Sequence, residues 1–139
     1  MLSIRSSFLA TIVFFAGPAC ADDLSADQIR QLISGKTVYM ETTANSETRT
    51  VGAAHQFFAA DGSVLFKTAK GELWTGTWSI SNGRPRSADS VCIVWKQIQN
   101  NRCYFFEKQG ETVSIKGGGV VLAKIGKIAD GNVEKLVAP

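Results

Sequence analysis

Few side chains in this chain could do chemistry. His55 is the only histidine among 139 residues. General acid–base catalysis usually relies on a histidine or on carboxylates held close together. His55 lies beside Gln56 and Phe57 in an alternating run, where a strand histidine facing solvent or satisfied locally is the simpler reading. The serines could be drawn into a Ser–His–Asp arrangement, but no Gly-x-Ser-x-Gly elbow selects one of them. For metals there is no His-x-His, no His-Glu-x-x-His and no acidic calcium loop. The run Gly117-Gly118-Gly119 followed by Lys124, Gly126 and Lys127 fails the phosphate-loop spacing, because Gly119 and Gly126 are seven apart and Ile128 follows Lys127. No catalytic residue, metal ligand or cofactor site is assigned.

The aromatic residues support the one binding hypothesis. Trp74 and Trp78 flank Gly76 in a strand-like run, and Trp95, Tyr39, Tyr104 and five phenylalanines add to the aromatic content of 22–139. In a small barrel such residues fill the core, and that reading comes first. If the interior is not filled, the same residues line an apolar cavity. Trp74, Gly76, Trp78 and Phe66 are then the candidate ligand contacts, with glycine between two large side chains leaving space.

The start of the chain bears on where such a site would work. Met1 to Arg5 carries one positive charge, an uncharged apolar stretch runs over 8–17, and Ala19-Cys20-Ala21 places small residues before Asp22-Asp23. That combination describes a secretory signal peptide, 1–21, with Ala19 and Ala21 at the cleavage site. The apolar run is about half the roughly twenty residues a membrane-spanning helix needs, so no transmembrane segment is expected. The alternative is a lipoprotein acylated at Cys20, although the usual large aliphatic residue three places upstream is missing. Cleavage leaves 22–139 as one domain in the periplasm or secreted, and the net charge falls from +3 to +2 because only Arg5 is lost. So small a charge, with no basic stripe, gives no footprint for nucleic acid. In an oxidising compartment the two remaining cysteines, Cys92 and Cys103, are expected to form a disulfide. Closing a loop of that size stabilises by about 3 kcal/mol in the chain-entropy picture.

One helix and many strands must position these residues. Ser25 and Gln28 fit a capping box with Leu24 and Ile29 as its hydrophobic staple. Ile29, Leu32 and Ile33 recur at helical spacing, and Gly35 ends the run. From Thr37 the period becomes two, with strands expected at 37–43, 55–60, 63–68, 72–80, 91–96, 102–107, 111–116, 120–125 and 133–137. Asp61-Gly62 reads as a type I′ hairpin turn, and Gly117-Gly118-Gly119 as a bend or bulge. Seven to nine short strands joined by tight turns predict an all-β fold: an antiparallel meander closing into a barrel or strongly curved sheet, with one short N-terminal helix. Both faces of the 91–96 and 102–107 pair are apolar, so the helix stripe is expected to cover one of them.

Several of these residues also form a pattern in order: Leu24-Ser25, Ile29, Leu32, Gly35 and Thr37; Phe58, Asp61 and Gly62; Gly76-Thr77-Trp78; Cys92 and Trp95; Cys103-Tyr104; Gly131-Asn132 and Leu136. The pattern resembles a family of short exported proteobacterial proteins catalogued as a domain of unknown function. The resemblance spans nearly all of 22–139 and implies an extracytoplasmic, disulfide-bearing β-rich domain, with no catalytic residues to carry over. The Gly-x-Trp and Asp-Gly features are also similar to lipocalin-like meanders, in fold only. The functional expectation is a non-catalytic binding module for a small apolar ligand or cell-envelope component. The alternative is a protein-interaction or inhibitor module using the loops 44–50 or 84–90, the latter containing Arg84-Pro85-Arg86.

Overall fold

The computed structural model describes residues 17, 20–83 and 87–139. The apolar run 8–17 apart from Gly17, Ala19 of the expected cleavage site, and Arg84-Pro85-Arg86 lie outside the described residues. The described elements are β1 (Asp22–Asp23), α1 (Ala26–Ile33), β2 (Lys36–Thr42), β3 (Gly52–Phe58), β4 (Ser63–Lys67), β5 (Leu73–Ser81), β6 (Ser90–Trp95), β7 (Asn100–Gln109), β8 (Thr112–Gly117) and β9 (Val120–Asp130). From β2 to β9 every strand pairs antiparallel with the next, and β9 pairs back onto β2. The result is a closed eight-stranded barrel, which leaves no long unpaired edge exposed. The two-residue β1 sits beside β7 at Glu107 and Lys108, beyond the point where β6 has ended.

Alternation along the strands explains the closure. Val38 and Met40 on β2, Ala54 and Phe58 on β3, Val64 and Phe66 on β4, and Val91, Ile93 and Trp95 on β6 are all buried in one cluster. Their sequence neighbours point outward, as a period of two requires. Two-residue turns hold some of these pairs. Gly117 and Val120 face each other across Gly118 and Gly119, both with positive φ, as a type I′ turn demands. These glycines therefore join β8 to β9 and do not bend a strand. At 59–62 the type I′ expectation gives way to a longer turn, with only Gly62 at positive φ. There the Asp61 carboxylate accepts from the Ser63 backbone N–H and hydroxyl instead.

The helix behaves locally as its sequence dictates. Ser25 Oγ accepts from the Gln28 N–H, the Gln28 side chain accepts from the Ser25 N–H, and Gly35 takes positive φ after the last turn. Its position differs from the expectation, because it lies against β2 and β5 and not over the outer face of the β6–β7 hairpin. Ile29 and Ile33 are 0% exposed and join the interior core. Each contributes about 1.5–3 kcal/mol of burial, more than the flat outside of a hairpin could provide. That outer face stays open, with Val94 49% exposed. Here Cys92 and Cys103 oppose each other across β6 and β7 and are disulfide-bonded. Among the described residues no helix is long and apolar enough to cross a membrane.

The expected strand at 133–137 does not form. Instead β9 continues through Gly126 to Asp130, passing a register shift opposite Tyr39 and Met40. The segment after it is pinned by Asn132, whose side chain donates to the Leu136 carbonyl and accepts from its N–H. With β2 already paired on both sides by β3 and β9, a further strand has no ladder to join.

Candidate functional site

One end of the barrel is occupied by α1, and the strand ends opposite it converge under the loop 43–51. At that second end lies an interior cavity of about 60 Å³. One wall is aromatic. Register places Phe66 opposite Trp74 and Gly76 opposite Trp95. The ring of Trp95 meets Trp74 edge-on at 5.9 Å and Phe66 at 5.8 Å between centroids. Phe58 and Phe106 lie among the deeper lining residues, and Met40, Ile115, Leu122 and Ala123 complete the apolar surface.

Polar groups in the lining come mostly from the loop end. Thr42 Oγ1 donates to the carbonyls of Thr50 and Gly52, and Ser46 Oγ donates to Thr50 O, which ties the loop back onto β2 and β3. Glu47 faces the cavity on one side and pairs with Arg102 at 3.5 Å on the other. Tyr104 accepts a 3.1 Å hydrogen bond from Trp95 Nε1. Burial pushes the Tyr104 phenol well above its ordinary range; the Trp95 bond works against that shift and the nearby Glu47 charge adds to it. Tyr104 is therefore a neutral hydroxyl at any ordinary pH. Outside Ser46 and Glu47 a wider polar cleft of about 500 Å³ is lined by Asn45, Arg49, Asn100 and Arg102. Ser46 and Glu47 line both spaces, so the cavity and the cleft meet at these two residues.

Gln56 is the anomaly in this lining. It is 6% exposed, yet its Nε2 has no hydrogen-bond partner among the described residues. Leaving such a donor unsatisfied costs about 1–3 kcal/mol.

Of the four candidate ligand contacts, Phe66 and Trp74 are in the lining. Trp78 stands further along β5 toward the helix end, where its Nε1 donates to Ala59 O at 2.8 Å and its ring meets Phe58 edge-on at 5.5 Å. Gly76 does not open space. A Cβ there would lie 2.3 Å from the Val94 carbonyl oxygen, so the glycine lets the β5 and β6 backbones approach. His55 is on the outer surface, its ring 5.8 Å from Tyr39. Among the described residues no three His, Cys, Asp or Glu side chains gather as a metal-ligating group. Sequence reasoning missed Gln56 and Glu47, whereas Trp95 and Tyr104 were among the aromatic residues expected to line a cavity. A signal for Gln56 exists, since it takes the inward position between Ala54 and Phe58 where the strand period calls for an apolar residue.

The fold and this lining define a closed antiparallel β-barrel with a small, largely apolar internal cavity under a loop. Comparisons with family models, curated proteins and solved structures found no match to this chain.

Proposed function

We propose that this chain is an exported, non-catalytic binding module that takes a small apolar ligand inside the loop end of its barrel. The observation that carries this reading is the cavity walled by Phe66, Trp74, Trp95 and aliphatic side chains, which shares Ser46 and Glu47 with the outer cleft. Its size sets the ligand class. A buried water needs about 10–15 Å³ by this measure, whereas pockets for drug-sized molecules run to about 300–1,000 Å³. About 60 Å³ suits a ligand of few heavy atoms, which favours a small molecule over a bulky envelope component. Export draws support from the charged start, the short apolar run and the small-residue site before Asp22. The paired cysteines are weakly consistent with it. The resemblance to short exported proteobacterial proteins, read from the sequence motifs alone, implies the same placement.

The test is a tryptophan-fluorescence titration with small apolar compounds, because Trp74 and Trp95 both line the space. A saturable change is expected for the native barrel and not for Ala123→Leu, which fills the cavity. Absence of any response across a broad panel would refute the reading. A second reading, protein recognition through the loop 44–50, is favoured by Val51, which is 73% exposed where that loop rejoins β3. Co-purification from the native compartment separates the two readings by whether a small molecule or a protein is recovered.

A further inference from the structure

We propose that the Gln56 carboxamide is the polar anchor of the cavity, and that its ligand is a slim neutral molecule with one hydrogen-bond-accepting oxygen, such as a ketone, aldehyde, ester or lactone. The inference rests on the cavity-binding reading and adds the chemistry of the ligand. Gln56 is held in its position from both sides. Its register partners are Val38 on β2 and Phe66 on β4, and the inward neighbours on its own strand are Ala54 and Phe58. None of these four side chains can accept a hydrogen bond, so the Nε2 donor is stranded by the barrel's own register. A leucine or methionine would occupy the site without that penalty. An unpaired amide at the wall of an apolar cavity is complementary to a ligand oxygen that arrives with an apolar body.

The charge of the ligand follows from the same surroundings. The Glu47 carboxylate is part of the lining, and the Arg102 guanidinium is already engaged with it toward the outer cleft. An ionised carboxylate beside Gln56 would lose its hydration for one neutral N–H bond, a poor exchange between apolar walls. A carbonyl loses much less and gains the same bond.

The test uses the full chain labelled with nitrogen-15 and three probes of similar size: 2-hexanone, its hydrocarbon counterpart 2-methylhexane, and hexanoate at neutral pH. The expected result is a shift of the Gln56 side-chain amide signals with 2-hexanone and no binding of hexanoate. Gln56→Met should weaken 2-hexanone about five- to tenfold and leave 2-methylhexane within twofold. The wild-type amide shift needs no variant, so a Gln56→Met protein that folds poorly does not remove the test. If both uncharged probes bind but the Gln56 amide signals stay still, or Gln56→Met leaves 2-hexanone affinity unchanged, the anchor is overturned while cavity binding stands. Hexanoate binding as tightly as the ketone overturns the neutral-ligand part. If neither uncharged probe binds, the cavity reading falls and the anchor with it.

Discussion

Replacing Gly76 by alanine should destabilise the barrel by about 3–5 kcal/mol. The new methyl carbon would lie 2.3 Å from Val94 O, 3.1 Å from Val94 C and 3.3 Å from Trp95 Cα. Comfortable carbon–oxygen contacts begin at about 3.3 Å, so the two backbones must separate by about 1 Å. In a closed barrel neither strand can swing away freely, because β5 is also held by β4 and β6 by β7. The separation falls between the register pairs Gly76–Trp95 and Thr77–Val94. Two weakened ladder bonds at about 1 kcal/mol each, with overpacking strain of about 1–3 kcal/mol, give the stated total. Equilibrium urea unfolding followed by tryptophan emission measures it. With a slope of about 1–3 kcal/mol per molar urea, the midpoint should fall by about 2 M. Ser79→Ala, at an exposed position on the same strand, should stay within about 0.5 kcal/mol of the parent. If Gly76→Ala also stays within that margin, the close-approach argument is wrong and the glycine merely leaves room between Trp74 and Trp78.

Two further predictions concern groups whose protonation is linked to folding, one through burial and one through hydrogen bonds. Because burial raises the Tyr104 phenol above its ordinary value of 10.0, the unfolded chain loses that proton first. Its contribution is therefore intact below about pH 10 and falls by about 1.4 kcal/mol per unit as pH rises above that point. Urea midpoints at pH 9 to 11 should show the decline, and Tyr104→Phe should lessen it. A slope unaffected by Tyr104→Phe would contradict this account. Asp89 ties the start of α1 to the β5–β6 connection, accepting from Gly83 N at 2.6 Å and from Ala26 N at 2.7 Å. These bonds, the Gly83 one first, hold its carboxyl below the ordinary 3.8. The contribution is present above that value and is lost as pH falls through the lowered one. Asp89→Ala should speed amide exchange at Ala26 and Gly83 while leaving exchange in β2 and β9 unchanged. Equal protection at those two amides in the variant would show that Asp89 holds nothing there.

Short-range features of this chain are readable residue by residue. The Ser25–Gln28 capping box needs only four consecutive positions, and the structure carries both of its bonds. The period of two places Trp74 and Trp78 on one face of β5 whatever surrounds the strand. The pairing of Cys92 with Cys103 follows from a hairpin register set by a short connection. Errors appear where a second segment decides. Val133 to Val137 has strand-like residues, but β2 has no free side to offer it. The helix stripe matches any apolar surface, and the open barrel end buries it more completely than the hairpin's outside does. Gly76 looks like vacancy in one strand and becomes a point of contact once Val94 is beside it.

By itself the amino-acid sequence determines an all-β meander with one capped helix and a cross-strand disulfide, because propensity, alternation and turn chemistry act over a few neighbouring residues. Only the tertiary structure decides that β9 closes onto β2, that α1 seals one end, and that Gln56 stands unpaired at the wall of a cavity beneath Ser46 and Glu47. Each of these depends on which residues meet across strands far apart in the chain. That register is set by the packing of the whole barrel, and no local stretch of sequence contains it.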